Sequence, residues 1–159
     1  MKIKGIVDYD CVNYKNPCLT VMFPTCTFKC DKDNNCKICQ NWALTLEPSI
    51  EVSCDFIINY YLQNPLTKAF CFQGLEPFDS FSEMTELIKT IRIDYNLEDE
   101  IIIYTGYNPE EKEEEIKWLK LFPNIIIKWG RFIVGEEPHY DELLGINLAS
   151  KNQYGEKIS

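Results

Sequence analysis

Short apolar runs recur along the chain, separated by segments whose apolar residues follow helical spacing. Runs at 18–23, 69–72, 101–104 and 125–127 are continuous rather than alternating, and a first short strand is predicted over 2–7. Continuous runs are typical of parallel strands covered on both faces. The alternation of such strands with helices predicts an α/β fold with a mostly parallel sheet and flanking helices.

Three helices are predicted between these strands, and each has a candidate capping residue. The caps are Ser53, either Asp79 or Ser80, and Asn108 with Pro109 at the first helical position. The first helix is predicted over 54–63, and its core-facing side is expected to hold Phe56, Ile57, Tyr60 and Tyr61. The strand at 125–127 is expected to be the last one.

Composition and charge narrow the class of protein. At 159 residues and 45% apolar, the chain is predicted to form one domain over residues 1–159. A net charge of −9 argues against binding a phosphate backbone, so no nucleic-acid partner is expected. The first residues lack an apolar signal core and no apolar run reaches membrane-spanning length, which predicts a cytoplasmic protein with no membrane partner.

The chain has eight cysteines, and four of them lie close together just after the strand at 18–23. These four are Cys26, Cys30, Cys36 and Cys39. The polar segment between the second and third argues against simple core packing, and a reducing cytosol argues against disulfides. From spacing alone, a four-thiolate zinc site and an iron–sulfur cluster fit equally well.

Ligands of parallel α/β sheets bind beyond the carboxyl ends of the strands. Three predicted loops leave those ends, namely the cysteine loop, 74–77 and 105–107. We therefore expect the three loops to meet around a cleft. A closed structural zinc site has no need of such a cleft, so the predicted architecture favours an iron–sulfur centre.

Several motifs resemble those of radical S-adenosylmethionine enzymes, and more narrowly the small activating enzymes of anaerobic ribonucleotide reductase. The resemblance extends over nearly the whole chain. It implies that the fold is a small partial (βα) barrel. It rests on Cys26-Thr27-Phe28-Lys29-Cys30, Cys39-Gln40-Asn41, Gly74-Leu75-Glu76-Pro77, Tyr104-Thr105-Gly106-Tyr107, Lys128-Trp129-Gly130-Arg131-Phe132 and Ala149-Ser150-Lys151-Asn152-Gln153.

The sequence departs from that family's pattern in two places. Leu75 replaces the second glycine of the family's Gly-Gly-Glu-Pro segment. The segment between Cys30 and Cys39 is longer than the usual two residues and contains Cys36, so either Cys36 or Cys39 could be the third ligand. We choose Cys39 because the Gln-Asn that follows it matches the family.

The resemblance implies specific cofactors and site residues. Cys26, Cys30 and Cys39 would hold a [4Fe–4S] cluster and leave one iron open for S-adenosylmethionine. Residues implied to contact S-adenosylmethionine are Ile38, Gln40, Gly74 and Glu76. The glycine at 74 is expected to let the backbone approach this cofactor closely. No side chain is expected to act as an acid or base, since the cofactors carry the chemistry.

The implied activity is reductive cleavage of S-adenosylmethionine, which generates a glycyl radical on the large subunit of anaerobic ribonucleotide reductase. A one-electron donor such as flavodoxin or ferredoxin is implied as a second partner. Two alternatives remain: a radical enzyme acting on a small molecule or peptide, and a non-catalytic zinc-binding module. His139 is expected to be a surface residue, and the remaining cysteines, Cys11, Cys18, Cys54 and Cys71, are expected to pack in the core.

Overall fold

The computed structural model describes all residues, 1–159, and contains ten strands and four α-helices. The strands are β1 (Lys2–Ile3), β2 (Gly5–Asp10), β3 (Cys18–Phe23), β4 (Ile50–Glu51), β5 (Ala69–Gly74), β6 (Glu100–Tyr104), β7 (Ile125–Trp129), β8 (His139–Asp141), β9 (Ile146–Leu148) and β10 (Tyr154–Lys157). The helices are α1 (Lys29–Asn34), α2 (Cys54–Gln63), α3 (Phe81–Lys89) and α4 (Glu113–Leu119).

A six-stranded sheet in the order β10-β7-β6-β5-β3-β2 forms the centre of the molecule. The four strands from β7 to β3 are parallel, and β10 and β2 pair antiparallel at the two edges. This confirms the prediction of an α/β fold with a mostly parallel sheet. The finer prediction of a partial barrel stays a prediction.

The two faces of the sheet bury different sets of residues because successive side chains of a strand point to opposite faces. The larger core packs the sheet against α2 and α3 and includes Val21, Phe72 and Ile103. The smaller core, around Cys71 and Ile102, also includes residues of 142–148.

Several strands differ from the sequence-based expectation. The strand predicted over 2–7 is broken at Lys4: β1 pairs with β4, and β2 continues to Asp10. The strand at 125–127 is not the last, because β8, β9 and β10 follow it. These late strands are short and largely exposed, so their sequences show no apolar run. Backbone pairing with a neighbouring strand holds them in place.

Helix α2 begins where the sequence predicts, but its buried face differs from the predicted one. Ser53 caps α2 by accepting a hydrogen bond from the Phe56 amide at 3.1 Å. Phe56 and Tyr60 stack on the solvent side, however, and are 52% and 38% exposed. The core positions of α2 are Cys54, Ile57, Ile58 and Tyr61.

The other two predicted helices each begin with a separate turn. A 3-10 turn over Pro77–Ser80 precedes α3, and neither Asp79 nor Ser80 caps that helix with its side chain. Asn108 and Pro109 likewise open a single 3-10 turn, and α4 starts only at Glu113. None of the helices has the length and apolar composition needed to cross a bilayer.

Candidate metal centre

The three predicted loops do meet beyond the carboxyl ends of the parallel strands. A small cavity there is lined by Cys26, Thr27, Lys29, Cys30, Glu76, Gly106 and Tyr107. Its lining residues come from the cysteine loop, the segment after β5 and the segment after β6. Parallel pairing explains this arrangement, since it brings the carboxyl ends of β3, β5 and β6 to one edge.

The cysteine loop contains a short helix that the sequence pattern does not predict. Phe28 and Asn35 have positive φ angles of 54° and 52° and flank α1 at its two ends. The Asn34 side chain donates a hydrogen bond of 2.8 Å to the Cys30 carbonyl and stabilises this turn. A six-residue polar helix has no apolar period, so only its tertiary surroundings reveal it.

Asp31 brings Cys39 back towards Cys30. One Asp31 carboxylate oxygen accepts hydrogen bonds from the amides of Ile38 and Cys39, both at 2.9 Å. Cys39 is half-buried, whereas Cys36 is exposed. The inserted segment thus forms a closed loop that turns Cys36 outward and keeps Cys39 beside the helix that holds Cys30.

Each of the three predicted ligand sulfurs is partly buried beside a backbone amide. Burial raises the pKa of Cys26 to about 12, and burial also raises the pKa values of Cys30 and Cys39. The amides of Phe28, Phe132 and Asn41 oppose this rise at Cys26, Cys30 and Cys39, respectively. A bound soft metal centre would replace the proton on each thiol, and the neighbouring amides would stabilise the resulting thiolates.

The donor set fits an iron–sulfur cluster. All eight cysteines are free, and Cys26, Cys30 and Cys39 are the half-buried ones. No group of three or more His, Cys, Asp or Glu side chains is arranged to hold a single metal ion. The thiolates of a four-iron cluster bind different iron atoms, so they need not converge on one point.

Glu76 is a buried residue in the wall of the small cavity, and its carboxylate binds two backbone amides. Its carboxylate is 5% exposed and accepts hydrogen bonds from the amides of Phe78 at 3.2 Å and Gly106 at 2.9 Å. Desolvation raises the pKa of this carboxyl to about 7. The side chain therefore ties the end of β5 to the loop after β6, and its predicted contact with a cofactor stays a prediction.

A wider cleft of about 320 Å³ lies next to the cysteine loop. It is lined by Asn13, Met22, Gln40, Asn41, Ala43, Leu44, Gln73 and Gly74. Two predicted cofactor-binding residues, Gln40 and Gly74, are among them, whereas Ile38 and Glu76 are not. Asn41 donates a hydrogen bond of 2.7 Å to the Gly74 carbonyl, which joins the segment after Cys39 to the end of β5.

Gly74 is required by the sheet, and the sequence-based explanation for this glycine misses that reason. Its φ angle is +102°, a conformation that residues with a side chain rarely adopt. A Cβ atom at this position would lie 2.9 Å from both the Met22 Cα and the Phe23 amide nitrogen. The glycine therefore allows close approach of the β3 backbone.

The surroundings of Tyr107 could not be predicted from the sequence. Its hydroxyl donates a hydrogen bond to Asp79, which also accepts one of 2.6 Å from the Thr27 amide. The ammonium groups of Lys29 and Lys112 lie 4.5 Å and 4.4 Å from the centre of its ring. All of these partners except Lys112 are distant in the sequence, and together they hold the start of the cysteine loop against the loop after β6.

The remaining predictions concern the other four cysteines and the histidine, which lie outside the site. Cys18, Cys54 and Cys71 are buried as predicted, but Cys11 is exposed, because it lies just beyond the edge strand β2. His139 is half-buried in β8. Neither Cys11 nor His139 lines the cavity or the cleft.

Comparison with known proteins gives one family. A family described as "4Fe-4S single cluster domain" matches residues 17–146, which include the cysteine loop, both segments that meet it and every cleft residue except Asn13. No curated protein and no solved structure matches the chain. The match decides between zinc and iron–sulfur in favour of the cluster. The chain belongs to the 4Fe-4S single cluster domain family.

Proposed function

We propose that this protein is a radical S-adenosylmethionine enzyme that generates a glycyl radical on an anaerobic ribonucleotide reductase. The observation that carries the proposal is the position of the cleft directly beside the cysteine loop. A domain that only stores a cluster or transfers electrons has no need of a ligand cleft at that place. The family is one found in radical S-adenosylmethionine-related proteins, which supports the same class of activity.

The chain's own residues would form two neighbouring sites, one for the cluster and one for S-adenosylmethionine. Cys26, Cys30 and Cys39 would bind the cluster, which when bound supplies the electron for reductive cleavage of S-adenosylmethionine. Gln40 and Gly74 line the cleft where the cofactor would bind. Because three thiolates leave one iron without a protein ligand, that iron would be open to the cofactor.

The size of the cleft supports a substrate that approaches from outside. A volume of about 320 Å³ is at the low end for a small-molecule site, so the cofactor would occupy most of it. A glycine on a loop of a partner protein can reach the rim without being enclosed. The reductase's large subunit is the proposed partner, and flavodoxin or ferredoxin is the proposed source of the electron.

The test of this activity is anaerobic mixing with the reductase, S-adenosylmethionine and a one-electron reductant. We expect a persistent doublet in the electron paramagnetic resonance spectrum. It should disappear when the radical-site glycine of the reductase is replaced by alanine. Cofactor cleavage without a radical on the reductase would instead support the alternative substrate, a small molecule or peptide, and would reject the proposed partner.

Replacing Gln73 by leucine should weaken binding of S-adenosylmethionine by about tenfold and leave the iron content unchanged. Gln73 is half-buried on β5 and lines the cleft, so the change removes a polar group from its wall. Loss of one hydrogen bond to a ligand costs on the order of 1 kcal/mol. Calorimetric titration of the cluster-loaded protein measures the affinity.

The matched control is Gln63→Leu, which makes the same chemical change at the exposed end of α2. It should bind the cofactor as the unmodified protein does. Equal affinities for the Gln73→Leu and unmodified proteins would mean that the cleft does not bind the cofactor.

A further inference from the structure

The Arg131 side chain and the Cys30 sulfur both approach Gly106, although 101 positions separate the two residues in the chain. A Cβ atom at Gly106 would lie 3.4 Å from the Cys30 Sγ and 3.7 Å from the Arg131 Cγ. The absence of a side chain at 106 therefore leaves room for both the arginine stem and the cysteine sulfur at this point. The amide of the next residue, Phe132, acts on the same sulfur by lowering the pKa of its thiol.

The guanidinium group of Arg131 joins the cysteine loop to the segment after β6. Its Nη2 donates a hydrogen bond of 2.6 Å to Glu111, and its Nε lies 3.0 Å from the carboxylate of Asp33 in α1. The Nε contact is an ion pair without hydrogen-bond alignment. Lys29, also in α1, contacts the same Glu111 oxygen at 2.8 Å. We call Arg131, Glu111, Asp33 and Lys29 the Arg131 network.

The arginine is well placed to act on a charge at Cys30. Its side chain is only 13% exposed, so solvent screens it less than an ordinary surface arginine. Glu111 is held ionised, because the Arg131 hydrogen bond lowers its pKa to about 2. The network thus fixes the Arg131 cation by two carboxylates on the side of the site that the Cys30 sulfur also approaches.

We propose that Arg131 is a positioning residue that holds the cysteine loop in place and raises the reduction potential of the cluster bound there. Reduction adds one negative charge, and a nearby cation stabilises that charge. Local charge and hydrogen bonds to the sulfurs are among the factors that set the potential of such clusters. The inference rests on Cys30 being a cluster ligand, as in the proposed function.

The experiment is a redox titration of the cluster-loaded protein at low ionic strength, in which electron paramagnetic resonance measures the amount of reduced cluster. Arg131→Gln should shift the one-electron equilibrium about tenfold towards the oxidised form, which is a fall of about 59 mV. Glu111→Gln should raise the potential, because it removes a carboxylate that neutralises the arginine. Arg131→Lys should retain most of the wild-type potential.

The matched control is Lys117→Gln, which removes one positive charge from a side chain that is 67% exposed and paired only with Glu114. It should leave the potential unchanged. The inference is overturned if Arg131→Gln keeps its iron and its potential, or if Arg131→Gln and Glu111→Gln shift the potential in the same direction.

Two further outcomes separate this inference from the proposed function. If Arg131→Gln cannot hold the cluster, the Glu111→Gln variant decides, since a rise in potential supports the inference and no rise rejects it. If Cys30→Ala retains full iron content, Cys30 is not a ligand and the proposed ligand set fails first. If Cys30→Ala loses its iron but Arg131→Gln and Glu111→Gln keep the wild-type reduction potential, the inference about Arg131 is rejected and the proposed ligand set stands.

Discussion

Replacing Cys26, Cys30 or Cys39 by alanine is expected to abolish cluster binding, whereas Cys36→Ala should retain it. The first three thiols are half-buried beside backbone amides, and Cys36 is exposed on the inserted loop. The Asp31 carboxylate accepts a hydrogen bond from the Cys39 amide and so closes the inserted loop, on which Cys36 is exposed. Loss of one of three thiolates leaves too few protein ligands to hold the cluster.

Iron and sulfide per chain, measured after anaerobic purification, test this prediction. Cys11→Ala is the matched control, because Cys11 is another exposed cysteine and lies outside the cysteine loop. It should bind iron and sulfide in the same amounts as Cys36→Ala. The ligand assignment is wrong if Cys36→Ala loses iron while Cys39→Ala keeps it. A colourless protein that contains zinc would reject the cluster itself.

Gly74→Ala should destabilise the protein by about 3 kcal/mol, even without any ligand. The added methyl group meets the β3 backbone at 2.9 Å, and the φ angle of +102° disfavours any residue with a Cβ. A strained backbone and overpacking each cost about 1–3 kcal/mol. Thermal unfolding of the apoprotein should show a fall in Tm of roughly 10 °C.

Gly135→Ala provides the control for backbone strain alone. Gly135 also has a positive φ angle, +86°, but a Cβ atom there would meet nothing within 4 Å. Its Tm should fall by less than half as much. Equal losses at the two positions would show that the contact with β3 contributes nothing. In either case, substitution at 74 reports on the sheet, so Gln73 is the better position for testing cofactor binding.

The sequence by itself determines the parallel sheet and the edge at which the site forms. Continuous apolar runs such as Cys18–Phe23 and Ile101–Tyr104 require burial on both faces, and parallel strands between helices satisfy that requirement. Once the strands are parallel, the loops that follow them lie at one edge. The meeting of the cysteine loop with 74–77 and 105–107 could therefore be predicted before the structure was known.

The roles of single residues inside these loops depend on distant backbone, so the sequence alone does not decide them. A glycine at 74 is compatible with a ligand contact or with a crowded strand pair, and only the position of β3 distinguishes them. The hydrogen bond that Glu76 accepts from the Gly106 amide likewise depends on where the loop after β6 lies. The exposed strand β10 has no apolar run, and its place depends on hydrogen bonds to β7.

The charged contacts around the cysteine loop belong wholly to the tertiary structure. Lys29 meets Glu111 and Asp33 meets Arg131 across separations of 82 and 98 residues, respectively. Ion pairs of this kind have no period or spacing in a sequence, since either charge could as well face solvent. Apolar burial determined where the loops meet, and the folded chain then decided which charges surround the cysteines.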